Sequence, residues 1–237
     1  MSLGPLPIIG VELGSRLENT AISVTERVYA ETGERFNRVL TSHPYGRSVI
    51  TEERVRAEYH LRHLERRQPP VFYRSVADRV GEIATRLGDG MVVVDMTRVG
   101  RPVYRNIVDA VNKAIGEAKV STVFGAATVT GIAGGVSHSP GAGWLVPRRD
   151  LVTAALLLFE DDSLKIAESL DLAPTLIEEF TNFKLKPDPK DDLEGWRLAA
   201  NDDLVLAVAI STWAAERFLR KATSRPLEKV VDMPVVT

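Results

Sequence analysis

Acidic side chains at the ends of apolar runs are where this chain could do chemistry. Asp95 ends the run Met91-Val-Val-Val, and a turn with Gly100 and then Pro102 follows it. An apolar run without alternation suits a strand buried on both faces. Gly in the turn and Pro at the first helical turn are the expected punctuation after it. Asp95 then sits at the carboxyl end of a buried strand, where open α/β sheets bind their ligands. Glu12 has the same setting in Pro7-Ile-Ile-Gly-Val-Glu-Leu-Gly14, and Asp202 and Asp203 open the apolar stretch from Asn201 to Leu219. Taken singly, each has a structural reading: a helix cap for the aspartates, a surface residue after a strand for Glu12. Taken together they predict convergence. If the first and fourth strands are neighbours and the last helix packs on them, the carboxylates meet at one sheet edge. Like charges gathered there disfavour ionisation unless cations join them. Mg²⁺ or Mn²⁺ prefers carboxylate oxygen. Two such ions about 4 Å apart can activate a water and stabilise the leaving oxygen in phosphodiester cleavage.

The elements that must position these acids read as follows. Pro7 to Gly14 is a buried strand ending in a glycine turn, and Thr20 to Tyr29 alternates as a second strand. Glu31 to Val55 is broken by Gly33, Pro44 and Gly46 and reads as an irregular excursion. Val55 to Leu64 alternates as a third, half-exposed strand. Helical spacing then takes over in Phe72 to Leu87, ended by Gly88. After the Asp95 strand come a helix from Pro102 to Ala118 and a fifth strand from Val120 to Thr130. Gly131 to Gly143 holds five glycines and reads as a flexible loop. Helices follow at Arg149 to Phe159 and Pro174 to Phe183, with a short edge strand at Leu164 to Ala167 between them. Pro187 to Gly195 is a charged loop. Asn201 to Leu219, with its Asn-Asp-Asp start signal, is the strongest helix in the chain. The order predicts an α/β protein with a mixed sheet flanked by helices, as one domain over residues 1–237.

Composition narrows the function classes. In 237 residues, 30 basic against 32 acidic side chains give a formal net charge of −2. That argues against a generic charge-driven nucleic-acid binder while leaving room for a local basic groove. With no cysteine there is no disulfide framework, thiolate metal site or cysteine nucleophile, and a cytoplasmic location is expected. Nothing approaches the roughly 18 apolar residues of a membrane span, so no membrane association is expected. Met1-Ser-Leu has neither the basic start nor the apolar core of a signal peptide. Arg148, Arg149, Lys184, Lys186 and Arg197 are candidates for a groove that tracks a phosphate backbone, with a solvated face as the alternative. Arg98 and Arg101 flank the Asp95 turn and are candidates for the scissile phosphate, or for pairing with nearby acids. His60 and His63 lack the i, i+4 spacing of a helical zinc site and read as structural. Trp196 and Trp213 read as packing residues. Ser137, His138 and Ser139 lie in the glycine loop, read as surface or as a lid over the acids.

The order β-β-β-α-β-α-β-α, with acids on the first strand, the fourth strand and the last helix, resembles the RNase H-like nuclease fold. More narrowly, several segments resemble the nuclease domain of phage large terminase subunits and related prophage proteins. They are Gly10-Val-Glu-Leu-Gly14 with Thr20-Ala21, Tyr59-His-Leu-Arg-His-Leu64, and Val93-Val-Asp-Met-Thr-Arg-Val-Gly-Arg-Pro-Val103. Val146-Pro-Arg-Arg-Asp-Leu151, Leu164-Lys-Ile-Ala167 and Asn201-Asp-Asp-Leu-Val-Leu-Ala207 follow in the family's order. The resemblance implies a DNA endonuclease with Glu12, Asp95 and either Asp202 or Asp203 as catalytic metal ligands and two Mg²⁺ or Mn²⁺ ions. It further implies double-stranded DNA as substrate, a bacterial or phage-infected cytoplasm, and packaging partners such as a portal, a small terminase subunit and an ATPase motor. The motor itself has no counterpart here, because no Gly-x-x-x-x-Gly-Lys-Ser/Thr loop occurs. Two departures from the family pattern stand out: Glu12 replaces the usual Asp, and Asn201 replaces the usual His.

A rival reading from another class follows from those departures, namely the same fold with a degraded metal site, kept to dock DNA or a packaging protein. A third takes Gly10-Val-Glu-Leu-Gly14 as the first phosphate loop of the actin and sugar-kinase fold, which needs a second such domain. Metal-dependent cleavage separates the first two, and ATP binding would favour the third.

Overall fold

The computed structural model describes residues 6–15, 17–42, 46–88, 90–97, 99–116, 122–129, 136–139, 143–183, 202–219 and 224–233. The chain divides into two compact units, one of Gly4–Arg27 with Tyr59–Leu219 and one of Met1–Leu3, Val28–Glu58 and Arg220–Thr237.

In the larger unit, β1 (Leu6–Glu12) pairs antiparallel with β2 (Thr20–Ser42), from Leu6 opposite Arg27 to Glu12 opposite Ala21. On its other side β1 pairs parallel with β4 (Met91–Asp95), from Ile8 opposite Met91 to Val11 opposite Val94. β5 (Thr122–Val129) runs parallel to β4, and β7 (Gly143–Pro147) parallel to β5. The full path adds β3 (Gly46–Arg67), β6 (Ser137–Ser139) and β8 (Leu164–Ile166), in the order β6-β7-β5-β4-β1-β2-β3-β8. The stretch β5-β4-β1-β2-β3, parallel on one side of β1 and antiparallel on the other, is the mixed sheet of an RNase H-like fold. Five helices accompany it among the described residues: α1 (Tyr73–Leu87), α2 (Gly100–Ile115), α3 (Arg148–Glu160), α4 (Ala173–Asn182) and α5 (Asp203–Phe218).

Strand alternation divides the central strands between two faces. Ile9 and Val11 of β1 and Val92 and Val94 of β4 pack with Val76, Val80 and Ile83 of α1 and with Ile107 and Val111 of α2. The alternate residues Gly10, Glu12, Val93 and Asp95 belong to the opposite face, where α5 packs on β1 and β4. That approach depends on Gly10. A Cβ there would lie 2.3 Å from the Ala207 carbonyl oxygen and 2.9 Å from Ser23 Oγ. A seam of polar side chains fixes the helix further. Ser23 Oγ donates to the Ala207 carbonyl at 2.8 Å, and Thr25 and Ser211 hydroxyls meet at 2.8 Å. Arg27, buried, donates from Nη1 to the Ala215 carbonyl at 3.0 Å. Helix α5 is buried from Asp203 to Ala215, which accounts for its apolar character all round.

The smaller unit contains the outer parts of β2 and β3. Contacts between Thr32 and Arg54 and between Asn37 and Thr51 step in opposite directions along the two strands, as antiparallel neighbours do. β9 (Ser224–Met233) runs antiparallel to β3, from Arg47 opposite Met233 to Arg54 opposite Ser224. Glu52, only 4% exposed, accepts from Ser224 Oγ at 2.6 Å and pairs with Arg38 at 2.8 Å.

Several expectations change. Glu31 to Val55, read as irregular, is continued strand: Gly33 has φ 77° and yet lies within β2, and Gly46 opens β3. The described part of the glycine-rich loop contains β6, antiparallel to β7. Trp144 to Pro147, left unassigned, belongs to β7, and β9 was not anticipated. Helix α2 starts at Gly100 with Val99 at the N-cap position, so Asp95 is not its cap.

Candidate active site

Glu12 and Asp95 end adjacent parallel strands, and alternation assigns both to the face covered by α5. Both are nearly enclosed, at 4% and 5% exposure. The turn after β1 is tight and locally bonded: the Gly14 amide donates to Thr20 Oγ1 at 3.1 Å, and Tyr73 Oη donates to the Gly14 carbonyl at 3.1 Å. Asp95 is held through Oδ1, which accepts from the Thr97 amide at 2.8 Å and from Thr97 Oγ1 at 2.5 Å. Asp203 lies in the first turn of α5, one helical turn before the Ala207 crossing at Gly10. Its Oδ1 is 3.4 Å from Asn19 Nδ2, on the turn that links β1 to β2. The topology therefore brings Glu12, Asp95 and Asp203 to the same face at the carboxyl end of β1 and β4. Asp202 takes the N-cap position without a side-chain capping bond. Its Oδ2 instead accepts from Arg148 Nη2 at 2.6 Å, and Asp203 is the more buried of the two.

Two residues that sequence reasoning missed also belong to this site. Arg66, near the end of β3, donates from Nε to Asp203 Oδ2 at 2.7 Å and from Nη2 to Glu179 Oε1. Glu179, on α4, has a side chain about nine-tenths buried. Burial pushes its carboxyl group upward first of all; Arg66 opposes that, and the Asp203 and Asp202 carboxylates add to the rise. Arg66 shows the complementary effect. Burial works against its charge, and bonds from Asp203 and Glu179 more than offset this, holding it above the ordinary arginine range. The only signals in the sequence were a basic pair closing the third strand and an acid on an amphipathic helix.

Oxygen-only donors such as Glu12, Asp95 and Asp203 have the right chemistry for a hard divalent ion. Among the described residues, however, no three Asp, Glu or His side chains are gathered so as to hold one. On the α5 side, Arg66 and Arg148 supply neutralising charge among the described residues.

Of the basic residues predicted to meet nucleic acid, Arg101 and Arg149 are exposed, and Arg148 is half-buried against Asp202. Arg98, Lys184, Lys186, Arg197, Asn201 and Trp196 lie outside the described residues, as does the charged loop from Pro187 to Gly195. His60 contacts Arg62 and His63 contacts Glu65, consistent with structural roles. Trp213 packs edge-on against Trp144 and Phe218. No helix among the described residues is long and apolar enough to cross a membrane.

No family model matches the chain, and no curated protein matches it in sequence. Solved structures that it resembles include terminase nuclease domains. The human cytomegalovirus terminase nuclease domain soaked with Mn is 12% identical at a TM-score of 0.49, with 87% of this chain and 82% of that one covered. The large terminase nuclease of thermophilic phage G20c with bound cobalt is 15% identical at 0.48, covering 87% and 80%. RuvC of T. thermophilus, in complex with a Holliday junction substrate, is 14% identical at 0.32, covering 94% and 99%. The RNase H-like fold stands on the chain's own strand order and register.

Proposed function

We propose that this chain is a divalent-metal-dependent DNA endonuclease of the terminase type. One observation carries the reading: Glu12, Asp95 and Asp203, all buried, share one face at the carboxyl end of two adjacent parallel strands. Burying several carboxylates together is costly without cations. In this reading Glu12, Asp95 and Asp203 hold Mg²⁺ or Mn²⁺, with Asp202 beside them. Such ions, when bound, supply an activated water and neutralise the leaving oxygen. The chain's own residues set the geometry. Thr97 fixes Asp95 through two hydrogen bonds, Asn19 reaches Asp203, and Gly10 lets α5 approach close enough to bring Asp203 to the sheet. Arg101 and Arg149, exposed, suit phosphate contacts with double-stranded DNA, as do Arg98, Lys184 and Lys186 in sequence. The one-domain organisation over residues 1–237, the packaging partners and the cytoplasmic location belong to the same proposal.

Plasmid nicking in Mn²⁺ or Mg²⁺ tests it. The wild type should nick, and Asp95→Asn should lower the rate about a hundredfold or more while unfolding at a similar temperature. Equal rates in the two proteins would sink the proposal. The second reading, a docking module with a degraded site, draws on the arginines bound to Asp202 and Asp203 and on the absence of a ready three-ligand cluster among the described residues. It predicts DNA retention in gel shifts with no cleavage at any metal concentration.

A further inference from the structure

Helices α4 and α5 each present a carboxylate to one guanidinium. Arg66 donates Nη2 to Glu179 Oε1 and Nε to Asp203 Oδ2, and all three side chains are largely enclosed, at 13%, 10% and 8% exposure. The match is incomplete. Glu179 Oε2 is buried and accepts no hydrogen bond, and buried Arg148 Nε, beside Asp202, donates none. A buried carboxylate oxygen without a donor is costly. A guanidinium here serves one oxygen of each carboxylate, whereas a hard divalent ion takes carboxylates through one oxygen or both and carries twice the charge. Two positive charges, those of Arg66 and Arg148, thus face three neighbouring carboxylates, Glu179, Asp202 and Asp203, and Arg66 alone is shared between two of them.

We propose that Glu179 and Asp203 form a cation seat that Arg66 fills in the metal-free chain, and that a divalent ion takes over this seat by displacing the guanidinium. The proposal rests on the nuclease reading and extends it, because Glu179 becomes a ligand position outside the predicted set. Ion loading and the Arg66–Asp203 bond are then mutually exclusive. Arg66 lowers metal affinity by keeping most molecules in the closed arrangement, and removing its charge removes that competition.

The test is Mn²⁺ binding to the full chain by calorimetry, with thermal unfolding recorded for every variant. Arg66→Gln should bind Mn²⁺ about tenfold more tightly than the wild type, or better. Glu179→Gln should bind about tenfold more weakly, and the double variant should lose the gain of Arg66→Gln. If Arg66→Gln does not fold, Glu179→Gln decides alone: unchanged Mn²⁺ affinity in that variant overturns the seat. A folded Arg66→Gln that binds Mn²⁺ no more tightly than the wild type also overturns it, and leaves the nuclease reading intact wherever the wild type still nicks DNA. Tighter Mn²⁺ binding by Arg66→Gln with no nicking by any variant keeps the seat and removes the nuclease reading. No Mn²⁺ binding by wild type or Arg66→Gln removes both.

Discussion

The two faces of the central sheet are built from alternate residues of the same strands, yet they follow different rules. On one face Ile9, Val11, Val92 and Val94 meet α1 and α2 through apolar surface alone. On the other, Gly10 admits a helix backbone, Ser23 and Thr25 bond into α5, and Glu12 and Asp95 are buried at the strand ends. Apolar contact is non-directional and forgiving of small shifts, so the first face contributes stability without fixing any atom closely. Hydrogen bonds are directional and cost most when left unmade, so the second face contributes position. Side chains that must be held in place belong on the second.

That division can be broken or sharpened by substitution. Ile107→Ala, deep in the apolar face, should cost about 2–5 kcal/mol in chemical denaturation. DNA nicking per folded molecule should stay within about twofold of wild type, since no position on the other face depends on it. A large loss of nicking in folded Ile107→Ala would mean the two faces are coupled. Gly10→Ala places a methyl against the Ala207 carbonyl, a smaller volume change on the positional face. It should cost about 1–3 kcal/mol, and unlike Ile107→Ala it should also depress nicking, because α5 carries Asp203 away from the sheet. Retained nicking at full rate would show that the close approach is dispensable.

The smallest effect concerns two consecutive residues of β3. Glu65 bonds to Arg79 of α1 and to His63, while Arg66 reaches Asp203 and Glu179 on α5 and α4. Burial alone would raise the Glu65 carboxyl, but bonds from His63 and Arg79 outweigh it and bring it down from 4.5 to about 2. A carboxyl group lowered on folding contributes stability that is present above its unfolded value and is lost as pH falls through the folded one. Glu65→Gln should therefore be less stable than wild type at neutral pH, and the gap should close between pH 4.5 and about 2. A gap that stays constant across that window in acid titrations of unfolding would exclude the ionic contribution.

Much of this was legible in the sequence, for physical reasons. The run Val92 to Val94 and the apolar α5 announce burial through composition alone, and the turn residues after Asp95 locate the end of its strand. The outer parts of β2 and β3 escaped notice because their described residues bury no apolar side chain to set a period, so Gly33 and Gly46 were read as breaks. β7 and β6 are short and lie among glycines. Arg66 and Glu179 were invisible for another reason. Arg66 finds its partners 113 and 137 residues away, and nothing local distinguishes it from Arg67 or Glu179 from Glu178. Pairings of that range are made by topology, not by any motif.

The contact at Gly10 has a mechanical consequence. With the Ala207 carbonyl seated on a residue that has no side chain, and with Ser23 bonded to the same oxygen, α5 has a fulcrum there. Asp203 stands four residues along the helix, about 6 Å from that point at 1.5 Å rise per residue. A tilt of about 10° about the fulcrum moves the start of the helix by roughly 1 Å, a displacement on the scale that separates productive from unproductive geometry. The helix thus works as a short lever. Arg66 and Arg148, bonded to Asp203 and Asp202 at that end, therefore bear on the distance between Asp203 and the strand-end acids.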